Sequence, residues 1–354
     1  MKAVKLYAIQ ELRLEEVPVP EIKTKEDVLI KVKAAGICGS DLSRYGKFGP
    51  KKEPGYTFGH EFSGVVEKIG DNVSDFKPGD RVTVSPAYPC GECEYCKSAQ
   101  YSKCNSLEVI GAVSDGSFAD YIVMPAENVV HIPDEIEFEQ AAMIEPSACC
   151  VHAFYQSSIK VGDTVTIMGC GPLGLMCIQW AKVFGAKKVI AIDVMPEKLE
   201  WAKNLGADEI INGKEEDAYD TIQKITNGRG TDIVIEAAGT PFTCGQVLGL
   251  AKKGGTVVYL GIPYGDVTIP RMYFEKIMRN ELHIVGSWNS ISGPLPGSAW
   301  DSTIHFMKIG SVDFTPIITH RHDLSEAPEV FKKVFKRDTL FGKIIFFPEG
   351  VENK

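Results

Sequence analysis

Hydrophobic and polar positions alternate in two different rhythms along the chain. Up to about residue 140, short apolar runs of β type are separated by turns rich in glycine and proline, as at 77–80, which reads Lys-Pro-Gly-Asp. This pattern predicts a compact all-β region. Its clearest strands are expected at 28–35, 62–69, 81–85 and 118–124.

A helical pattern follows over 138–156. Its apolar positions are available for packing on a helix, and they are Ala141, Ala142, Ile144, Ala148 and Phe154. The pattern of apolar positions after this segment differs from the pattern before it. We therefore expect a single helix here that links two domains.

From residue 164 onward, apolar runs alternate with helix-like segments. A repeated β then α rhythm predicts a doubly wound parallel sheet. The apolar runs, and hence the six expected strands, lie at 165–168, 188–192, 209–211, 232–236, 256–260 and 282–286.

The alternation ends after Ser287. The segment 287–301 is rich in Gly, Pro, Ser and Trp and is interpreted as a loop, while a helix-like stretch at 325–336 and a strand at 343–347 close the chain. This tail is too short to fold alone, so we expect it to complete the N-terminal β domain. The predicted fold class is α/β, with domains at 1–150 and 151–287 and a return segment at 288–354.

Length and composition limit the class of protein. The 354 residues exceed a usual single domain, and 44% of them are apolar and 24% charged, as in ordinary globular proteins. A net charge of −9 argues against general nucleic-acid binding. No apolar run reaches membrane-spanning length, and the N-terminal stretch lacks the apolar core of a signal peptide. We therefore expect a cytoplasmic protein that binds neither nucleic acid nor membrane.

A glycine motif follows the first of the parallel strands. Gly169, Gly171 and Gly174 have G-x-G-x-x-G spacing and open a helix-like segment. Such glycines allow a tight turn, close approach of the backbone to a pyrophosphate and helix packing, and the helix N-terminus attracts the phosphates. Asp193, nineteen residues after the last glycine, suits a ribose hydroxyl and repels a 2′-phosphate. The motif predicts dinucleotide binding with NAD preferred over NADP, and the alternative is an ordinary βαβ turn.

Four cysteines are clustered in the β region, at Cys90, Cys93, Cys96 and Cys104. In a reducing compartment such a cluster indicates metal binding, and four thiolates complete a closed tetrahedral shell for structural zinc. An iron–sulfur cluster is an alternative, but its usual spacings differ because here the last gap is seven residues and no proline follows. Thiols without a ligand are the remaining possibility.

A second set of chemically capable side chains is dispersed. Cys38 lies in AGICGSD, His60 and Glu61 lie in FGHEFSG, and Glu145 lies in IEP. Taken one at a time, each has an ordinary structural interpretation: a buried thiol, a hydrogen-bonded histidine, an ion-paired acid and a carboxylate near a helix end.

Taken together, these motifs resemble the zinc-dependent medium-chain dehydrogenase/reductase family. The resemblance runs from the N-terminal strand through G-x-C-G-S-D, G-H-E, the four-cysteine segment and the glycine motif to the C-terminal strand, so it covers essentially the whole chain. It implies a GroES-like, β-rich catalytic domain and a Rossmann NAD-binding domain. It also implies two zinc ions per chain, one catalytic and one structural.

The resemblance assigns roles to the dispersed set. Cys38 and His60 are implied ligands of the catalytic zinc. Glu145 stands where classical alcohol dehydrogenases of the family have a second cysteine, which points to the polyol dehydrogenase branch. In different members Glu61 is a direct ligand, an exchanging ligand or a residue that orients the site. Three protein ligands and one open position suit catalytic zinc, and which glutamate is the third ligand stays open.

The reaction that the resemblance implies is oxidation of an alcohol, in which zinc favours the alkoxide and NAD accepts a hydride. Ser40 matches the family's proton-relay hydroxyl, although a hydroxyl bonded to a local turn is the alternative. Ser43 stands in place of the relay histidine, so water beside Glu61 or Glu145 is the expected exit for the proton. The implied cofactor contacts beyond the glycines and Asp193 are Pro172, Leu173, Lys198, Ile262 and Ser287.

The substrate contacts rest on two segments. The run from Cys38 to Arg44 and the loop 286–300 are similar to members of the branch that act on polyol phosphates, and Arg44 stands where free-polyol members usually have a tyrosine. Positive side chains suit a phosphate, although the lysines also suit a solvated loop. The candidate phosphate contacts are Arg44, Lys47, Lys51 and Lys52. Trp288 and Asn289 are candidate substrate contacts, and Trp288 and Trp300 either line the pocket or pack the loop.

The leading interpretation is NAD- and zinc-dependent oxidation of a secondary hydroxyl of a polyol phosphate to the ketose phosphate. The alternatives are a dehydrogenase for a free polyol or an arabitol phosphate and, outside enzymes, a sensor that binds NAD and zinc without turnover. The resemblance also suggests a homodimer or homotetramer, often built by joining Rossmann sheets edge to edge.

Overall fold

The chain forms two compact units in a computed structural model, which describes residues 1–51, 53–336 and 338–351. One unit comprises Met1–Pro146 and Ser290–Lys354, and the other comprises Ser147–Asn289. The first unit is rich in β-structure, whereas the second alternates strands and helices. The two rhythms of the sequence thus correspond to two kinds of structure.

The N-terminal part of the first unit consists mainly of short strands separated by turns. The strands are β1 (Lys2–Ala8), β2 (Glu11–Glu16), β3 (Asp27–Gly36), β4 (Tyr56–Thr57), β5 (Glu61–Ile69), β6 (Arg81–Val84), β7 (Ala87–Tyr88), β8 (Glu108–Val109), β9 (Tyr121–Pro125) and β10 (Val129–His131). The helices in this part are α1 (Gly39–Ser43), α2 (Glu94–Lys97) and α3 (Phe138–Ala141).

The second unit is built on a parallel sheet. Helix α4 (Ile144–Ser157) leads into it. Its strands are β11 (Thr164–Met168), β12 (Lys188–Asp193), β13 (Glu209–Asn212), β14 (Thr231–Glu236), β15 (Ala251–Tyr259) and β16 (His283–Gly286). Its further helices are α5 (Pro172–Val183), α6 (Pro196–Asn204), α7 (Ala218–Ile225), α8 (Pro241–Leu250) and α9 (Arg271–Arg279).

The strand order of this sheet is β13-β12-β11-β14-β15-β16, and neighbouring strands are parallel. Every residue of the central strands β11 and β14 is buried. Continuous burial is expected where helices cover both faces of a parallel sheet, and it explains why these strands read as unbroken apolar runs. The predicted six-stranded, doubly wound sheet is confirmed.

The C-terminal segment returns to the first unit. It contains α10 (Ser298–Lys308), β17 (Ile318–Asp323), α11 (Ala327–Phe335) and β18 (Lys343–Phe347). Strand β18 pairs antiparallel with β3, so that Ile345 lies opposite Gly36 and Phe346 opposite Ala35. The resulting sheet has the order β10-β6-β5-β3-β18-β17, with β9 also paired to β3.

Buried aromatic rings join this C-terminal segment to the N-terminal strands. The Phe331 ring lies 5.9 Å from that of Phe58, and the Phe346 ring meets Phe118 edge-on at 5.3 Å between centroids. All four side chains are fully buried. Since burial of a phenylalanine stabilises a fold by about 1.5–3 kcal/mol, the C-terminal segment contributes substantially to the core of the first unit.

The expectation of one continuous helix over 138–156 is wrong. The segment forms α3 and α4, with a break between Ala141 and Ile144. Pro146 explains the break, because its nitrogen has no hydrogen to donate to the carbonyl of Ala142 and a helix from Phe138 therefore cannot continue through it. A proline is tolerated in the first turn of a helix, where α4 begins anew.

Two further elements differ from the expectations. Helix α10 begins inside the segment that was interpreted as a loop, and strand β17 was not predicted. Strand β17 reads Ile-Thr-His-Arg-His-Asp, so polar side chains hide its strand pattern. None of the helices in the described residues is long and apolar enough to cross a membrane.

Candidate functional site

Three of the dispersed side chains lie together in the first unit. One ligand atom from each of Cys38, His60 and Glu61 lies within 4.8 Å of the other two. The pairing of β3 with β5 accounts for this arrangement, because it sets Glu61 opposite Gly36, two residues before Cys38. A thiol, an imidazole and a carboxylate are the side chains that zinc prefers, so the group fits a zinc ion.

Glu145, the other candidate ligand, does not belong to this group among the described residues. It lies in the first turn of α4 and is buried. The structure therefore brings Glu61 to Cys38 and His60 and leaves the role of Glu145 as a prediction.

Glu61 has a buried partner of its own. Lys343 Nζ, on β18, donates a hydrogen bond to Glu61 Oε2, and the side chain of each residue is 2% exposed. A Cβ atom at Gly36 would lie 2.8 Å from Lys343 Cε and 2.9 Å from Glu61 Oε2, so a larger residue there would displace the ends of this pair where it crosses β3. The ion pair compensates the charge of a carboxylate that would otherwise be costly to bury.

Asp41 lies beside His60 and was not singled out from the sequence. Its Oδ2 accepts a hydrogen bond from the Cys38 backbone nitrogen at 3.0 Å, as part of a capping box at the start of α1. Its Oδ1 lies 3.4 Å from His60 Nδ1. Burial lowers the pKa of His60, but the charges of Asp41 and Cys38 outweigh it and hold that pKa well above its ordinary value.

The position of Asp41 suggests how His60 is oriented. A metal-binding histidine usually directs its second ring nitrogen to a carboxylate or carbonyl. With Nδ1 facing Asp41, Nε2 of His60 remains for a metal ion. Within the part of the chain that the structure describes, neither His60 Nδ1 nor Asp41 Oδ1 has a hydrogen-bond partner, and the two atoms lie 3.4 Å apart.

The proton-relay candidates lie on α1. Ser40 is half-buried, directly before Asp41. Ser43, which occupies the position of the family's relay histidine, donates a hydrogen bond from its hydroxyl to the Gly39 carbonyl at 3.1 Å. The proton of Ser43 is thus engaged within its own helix.

The four clustered cysteines converge as predicted. The Sγ atoms of all four lie within 4.8 Å of one another, and those of Cys90 and Cys96 are 3.9 Å apart. Thiolates around a tetrahedral zinc at ~2.3 Å are separated by roughly 3.8 Å, so the spacing suits zinc. None of the four forms a disulfide.

The surroundings of these thiols shift their pKa values in opposite directions. Hydrogen bonds from the backbone of Asn105 and Cys96 lower the pKa of Cys93 to about 6. Burial raises the pKa of Cys96 to about 12. Since a metal requires all of its thiol ligands to be deprotonated, binding at this cluster releases protons and is stronger at higher pH.

The glycine motif lies between β11 and β12 in the second unit. Gly169 has φ of 98°, and a Cβ there would lie 2.7 Å from the backbone of Ala238. A Cβ at Gly174 would lie 1.8 Å from the Gly169 carbonyl. Around Gly171, in contrast, a Cβ would meet nothing within 4 Å. The open side at Gly171 is where the backbone of such a motif approaches a pyrophosphate, so the motif fits a dinucleotide.

The residues next to these glycines support the same arrangement. Gly171 caps α5, and Pro172 and Leu173 form its first turn. Asp193 ends β12, and its two carboxylate oxygens accept hydrogen bonds from the backbone nitrogens of Cys170 at 2.7 Å, Val194 at 2.7 Å and Met195 at 3.0 Å. The carboxylate is therefore fixed beside the turn, and it is half-buried.

The remaining predicted cofactor contacts lie in the same unit. Lys198 is half-buried on α6, and Ile262 is exposed after β15. Ser287 follows β16 and is buried, and its hydroxyl has no hydrogen-bond partner in the described residues. A buried hydroxyl without a partner is a feature that a bound ligand satisfies.

The predicted substrate residues behave differently from one another. Trp288 is 57% exposed, whereas Trp300 is fully buried and donates from its indole nitrogen to Ser290 Oγ at 3.0 Å, so Trp300 packs its own loop. Asn289 is half-buried with φ of 58°. Arg44 Nη1 donates to the Gly111 carbonyl at 3.2 Å. Lys47 and Lys51 are exposed, and Lys52 lies outside the described residues.

Sequence reasoning missed two residues that support the candidate metal site. Asp41 is part of the quoted Cys-Gly-Ser-Asp motif, where an acid three residues after a potential N-cap signals a capping box. The sequence did not indicate a role for Lys343, because a lysine at the start of an apolar strand is ordinarily exposed to solvent. Its role appears only once β18 is paired with β3.

Comparison with known proteins agrees with this description of both units. The alcohol dehydrogenase GroES-like domain matches residues 24–134, and the zinc-binding dehydrogenase domain matches residues 172–302. Sorbitol dehydrogenase of Bacillus subtilis (strain 168) is 37% identical over 354 residues, which covers 98% of this chain and 97% of the relative.

Two similarities concern an enzyme for a phosphorylated polyol. Galactitol 1-phosphate 5-dehydrogenase of Escherichia coli (strain K12) is 35% identical over 337 residues, covering 95% of this chain and 97% of the relative. The crystal structure of galactitol-1-phosphate dehydrogenase from Escherichia coli has a TM-score of 0.93 at 34% identity and covers 98% of this chain and 100% of that chain. The chain belongs to the zinc-dependent medium-chain dehydrogenase/reductase family and is an alcohol/polyol dehydrogenase.

Proposed function

We propose that the protein oxidises a secondary hydroxyl of a polyol phosphate, most like galactitol 1-phosphate, to the ketose phosphate with NAD as the acceptor. The observation that carries this proposal is the convergence of Cys38, His60 and Glu61 within 4.8 Å in a chain whose relatives include sorbitol dehydrogenase and galactitol 1-phosphate 5-dehydrogenase. The reaction is reversible in chemical terms, since hydride transfer to a nicotinamide has a direct reverse step.

The proposed reaction uses bound zinc and bound NAD together with side chains of the protein. Bound zinc supplies Lewis-acid polarisation of the substrate oxygen, and bound NAD accepts the hydride. Cys38 and His60 would hold the metal, and the Asp41 carboxylate beside Nδ1 of His60 would leave Nε2 to face it. Ser40 takes the proton of the substrate hydroxyl. Because the hydroxyl of Ser43 donates to Gly39, the proton leaves Ser40 through water rather than through Ser43.

Either Glu61 or Glu145 completes the ligand set, and we propose different roles for the two. Glu61 is paired with Lys343, so its carboxylate is already compensated, and it orients the site or exchanges as a ligand. Glu145 is then the proposed constant third ligand. Zinc content separates these roles: Glu145→Gln loses the catalytic zinc, whereas Glu61→Gln retains it. The opposite result reverses the assignment.

NAD is the proposed acceptor because of Asp193. Its carboxylate is held by backbone nitrogens at the end of β12, where it faces the ribose of a nucleotide bound over the glycine motif. A 2′-phosphate at this position would meet a fixed negative charge. Pro172, Leu173, Lys198, Ile262 and Ser287 are the further proposed cofactor contacts, and Ser287 offers its unpartnered hydroxyl.

The phosphate of the substrate needs positive charge near the metal site. Lys47 and Lys51 are exposed on the segment that follows α1 and are the proposed phosphate partners, whereas the guanidinium of the earlier candidate Arg44 is engaged by the Gly111 carbonyl. Trp288 and Asn289 are proposed contacts for the polyol chain. Sorbitol dehydrogenase, at 37% identity, is as similar to this chain as galactitol 1-phosphate 5-dehydrogenase, at 35%, so oxidation of a free polyol is the second candidate function.

A comparison of kcat/KM for galactitol 1-phosphate and for free galactitol and sorbitol tests the substrate class. The proposal predicts a much higher value for the phosphorylated substrate and a selective rise of KM for it in Lys47→Gln or Lys51→Gln. Equal values for free and phosphorylated polyols favour the free-polyol function. No NADH with any polyol, despite two bound zinc ions, favours a sensor without turnover.

We also propose that the protein is a homodimer joined through the edge strand β16. This strand ends the parallel sheet, and Ile284 on it is 42% exposed. Helix α9, which precedes it, exposes Met272, Phe274 and Met278. An open, apolar sheet edge is self-complementary about a twofold axis, because the same strand of a second copy pairs with it antiparallel.

The oligomeric state in solution tests this interface. Ile284→Lys is expected to yield monomers, since it places a charge in the proposed contact. Ile210→Lys is the matched control, because Ile210 is 37% exposed on β13 at the opposite edge of the same sheet. A monomeric wild type, or a dimer unaffected by Ile284→Lys, contradicts the interface.

A further inference from the structure

Arg44 is held toward the metal site rather than extended into solvent. It begins a π-helical turn, Arg44–Phe48, that follows α1 directly. Its side chain is 19% exposed, and the same Nη1 atom that donates to the Gly111 carbonyl lies 4.0 Å from Asp41 Oδ1. The guanidinium is thus fixed between a backbone carbonyl and a buried carboxylate.

Asp41 needs the charge that Arg44 provides. The side chain of Asp41 is 0% exposed, and a buried carboxylate is costly unless an opposite charge or hydrogen bonds compensate it. Its Oδ2 accepts from the Cys38 backbone, but its Oδ1 has no hydrogen-bond partner in the described residues. Because a guanidinium stays protonated, Arg44 gives Asp41 a permanent positive neighbour whatever the state of His60.

Asp41 in turn faces His60. The separation of Asp41 Oδ1 and His60 Nδ1 is 3.4 Å. The three side chains are therefore successive neighbours: the half-buried cation lies beside the buried anion, and the buried anion lies beside the candidate metal ligand. The phenol of Tyr56 is also close to these side chains and is buried, and burial raises the pKa of Tyr56 to about 12, with opposing effects from Arg44 and Asp41. It therefore stays neutral and adds no competing charge.

We propose that Arg44 is a positioning residue of the catalytic metal site, acting through Asp41 on the ligand His60. Arg44 fixes the Asp41 carboxylate in the orientation in which Oδ1 meets His60 Nδ1, and it offsets part of the negative charge that Asp41 places on the imidazole. Loss of Arg44 frees the carboxylate, which loosens the hold on His60 and weakens the metal site. This inference rests on the proposed function, since it requires a metal at Cys38 and His60.

The proposal separates Arg44 from the lysines that follow it. A side chain that binds the substrate phosphate changes KM for phosphorylated substrates only. A residue that positions a metal ligand changes zinc affinity and alters turnover of free and phosphorylated substrates by the same factor. The two roles therefore differ in a measurement that involves no substrate.

Zinc affinity of the purified enzyme, measured by competition with a chromogenic chelator, tests the role of Arg44. Arg44→Gln is expected to lower the affinity for the more labile of the two zinc ions about tenfold. This is the low end of the range for residues that support metal ligands. Arg44→Lys keeps the charge and is expected to restore part of the affinity. Arg13→Gln is the control, because Arg13 is an exposed arginine of the same unit far from Asp41 in the sequence.

A double-mutant cycle shows whether Arg44 acts through Asp41. If it does, Arg44→Gln lowers the zinc affinity much less in an Asp41→Asn background than in the wild type. The kcat/KM values for galactitol 1-phosphate and free polyol are expected to fall by the same factor in Arg44→Gln. Unchanged zinc affinity, an effect that is independent of Asp41, or a loss confined to the phosphorylated substrate each overturns the proposal.

Cys38→Ser keeps this test distinct from a test of the proposed function. If Cys38→Ser still binds two zinc ions, the proposed catalytic site is wrong whatever Arg44 does. If Cys38→Ser loses one zinc ion while Arg44→Gln keeps the wild-type affinity, only the role of Arg44 is wrong. An unchanged thermal midpoint in Arg44→Gln and Asp41→Asn shows that the variants are folded.

Discussion

The ammonium group of Lys343 donates a hydrogen bond to Oε2 of Glu61, which lies 282 positions earlier in the chain. Both side chains are buried, and the pair crosses β3 where Gly36 leaves room for it. The last strand of the protein thereby holds a carboxylate at the candidate metal site. The ion pair connects the stability of the first unit to the geometry of its active residues.

Lys343→Met is expected to lower the free energy of unfolding by about 3–5 kcal/mol, because it leaves Glu61 buried without a partner. Urea unfolding of the wild type and the variant measures this difference. The double variant Lys343→Met with Glu61→Gln is the control and should recover most of the loss, since neither buried charge remains. A Lys343→Met protein as stable as the wild type would show that Glu61 finds another partner.

Cys104→Ser is expected to lose one of two zinc ions per chain and to lower the thermal midpoint, because a structural zinc contributes directly to folding. Metal analysis of the purified protein measures the zinc count. Cys244→Ser is the matched control, since Cys244 is a buried cysteine outside both groups and its zinc count should stay at two. An unchanged count in Cys104→Ser would contradict a four-thiolate site.

Asp193→Asn is expected to reduce the preference for NAD over NADP by roughly tenfold or more, because it removes the charge that repels a 2′-phosphate while keeping an oxygen for the backbone nitrogens. The ratio of kcat/KM for the two cofactors measures the effect. Asp208→Asn, which removes a half-exposed acid from the same unit, is the control and should leave the ratio unchanged. A wild type that prefers NADP would contradict this role for Asp193.

Asp232 is expected to make the stability of the second unit depend on pH. Burial raises the pKa of Asp232, but Arg229, Lys252 and the backbone nitrogen of Thr164 outweigh this effect and lower that pKa well below its ordinary value. Because the folded pKa lies below the unfolded value of about 3.9, the stabilisation is complete above that value. It is lost as pH falls through the folded pKa.

Comparison with Asp232→Asn isolates this contribution. The variant should be less stable than the wild type at pH 7, and the difference in urea midpoint should shrink as the pH is lowered below about 4. A difference that is constant down to pH 3, or that grows on acidification, would mean that Asp232 is not held in its charged form by these partners.

The parts of the fold that follow from the sequence are those with a local cause. Strands β11 and β14 are buried on both faces and therefore appear as continuous apolar runs. The four cysteines carry their spacing in the sequence, so their convergence was predictable. The break between α3 and α4 also has a local cause, the missing hydrogen of Pro146, although the apolar pattern alone concealed it.

The parts of the site that sequence reasoning missed depend on tertiary pairing. Lys343 meets Glu61 only because β18 pairs with β3, and nothing near either residue indicates that register. The orientation of Arg44 toward Gly111 and Asp41, rather than toward solvent, depends on a π-helical turn that no periodicity reveals. The charge of Arg44 was visible in the sequence, but the atoms that it faces were not.

The most direct test of the account is NADH formation from galactitol 1-phosphate by the zinc-loaded wild type and by Cys38→Ser, with the zinc content of both proteins measured in parallel. The account predicts rapid turnover with two zinc ions in the wild type, and loss of one zinc ion together with at least a thousandfold lower kcat/KM in the variant, roughly 4 kcal/mol of transition-state stabilisation. Turnover that survives in Cys38→Ser, or a wild type with two zinc ions that oxidises no polyol or polyol phosphate, would contradict it.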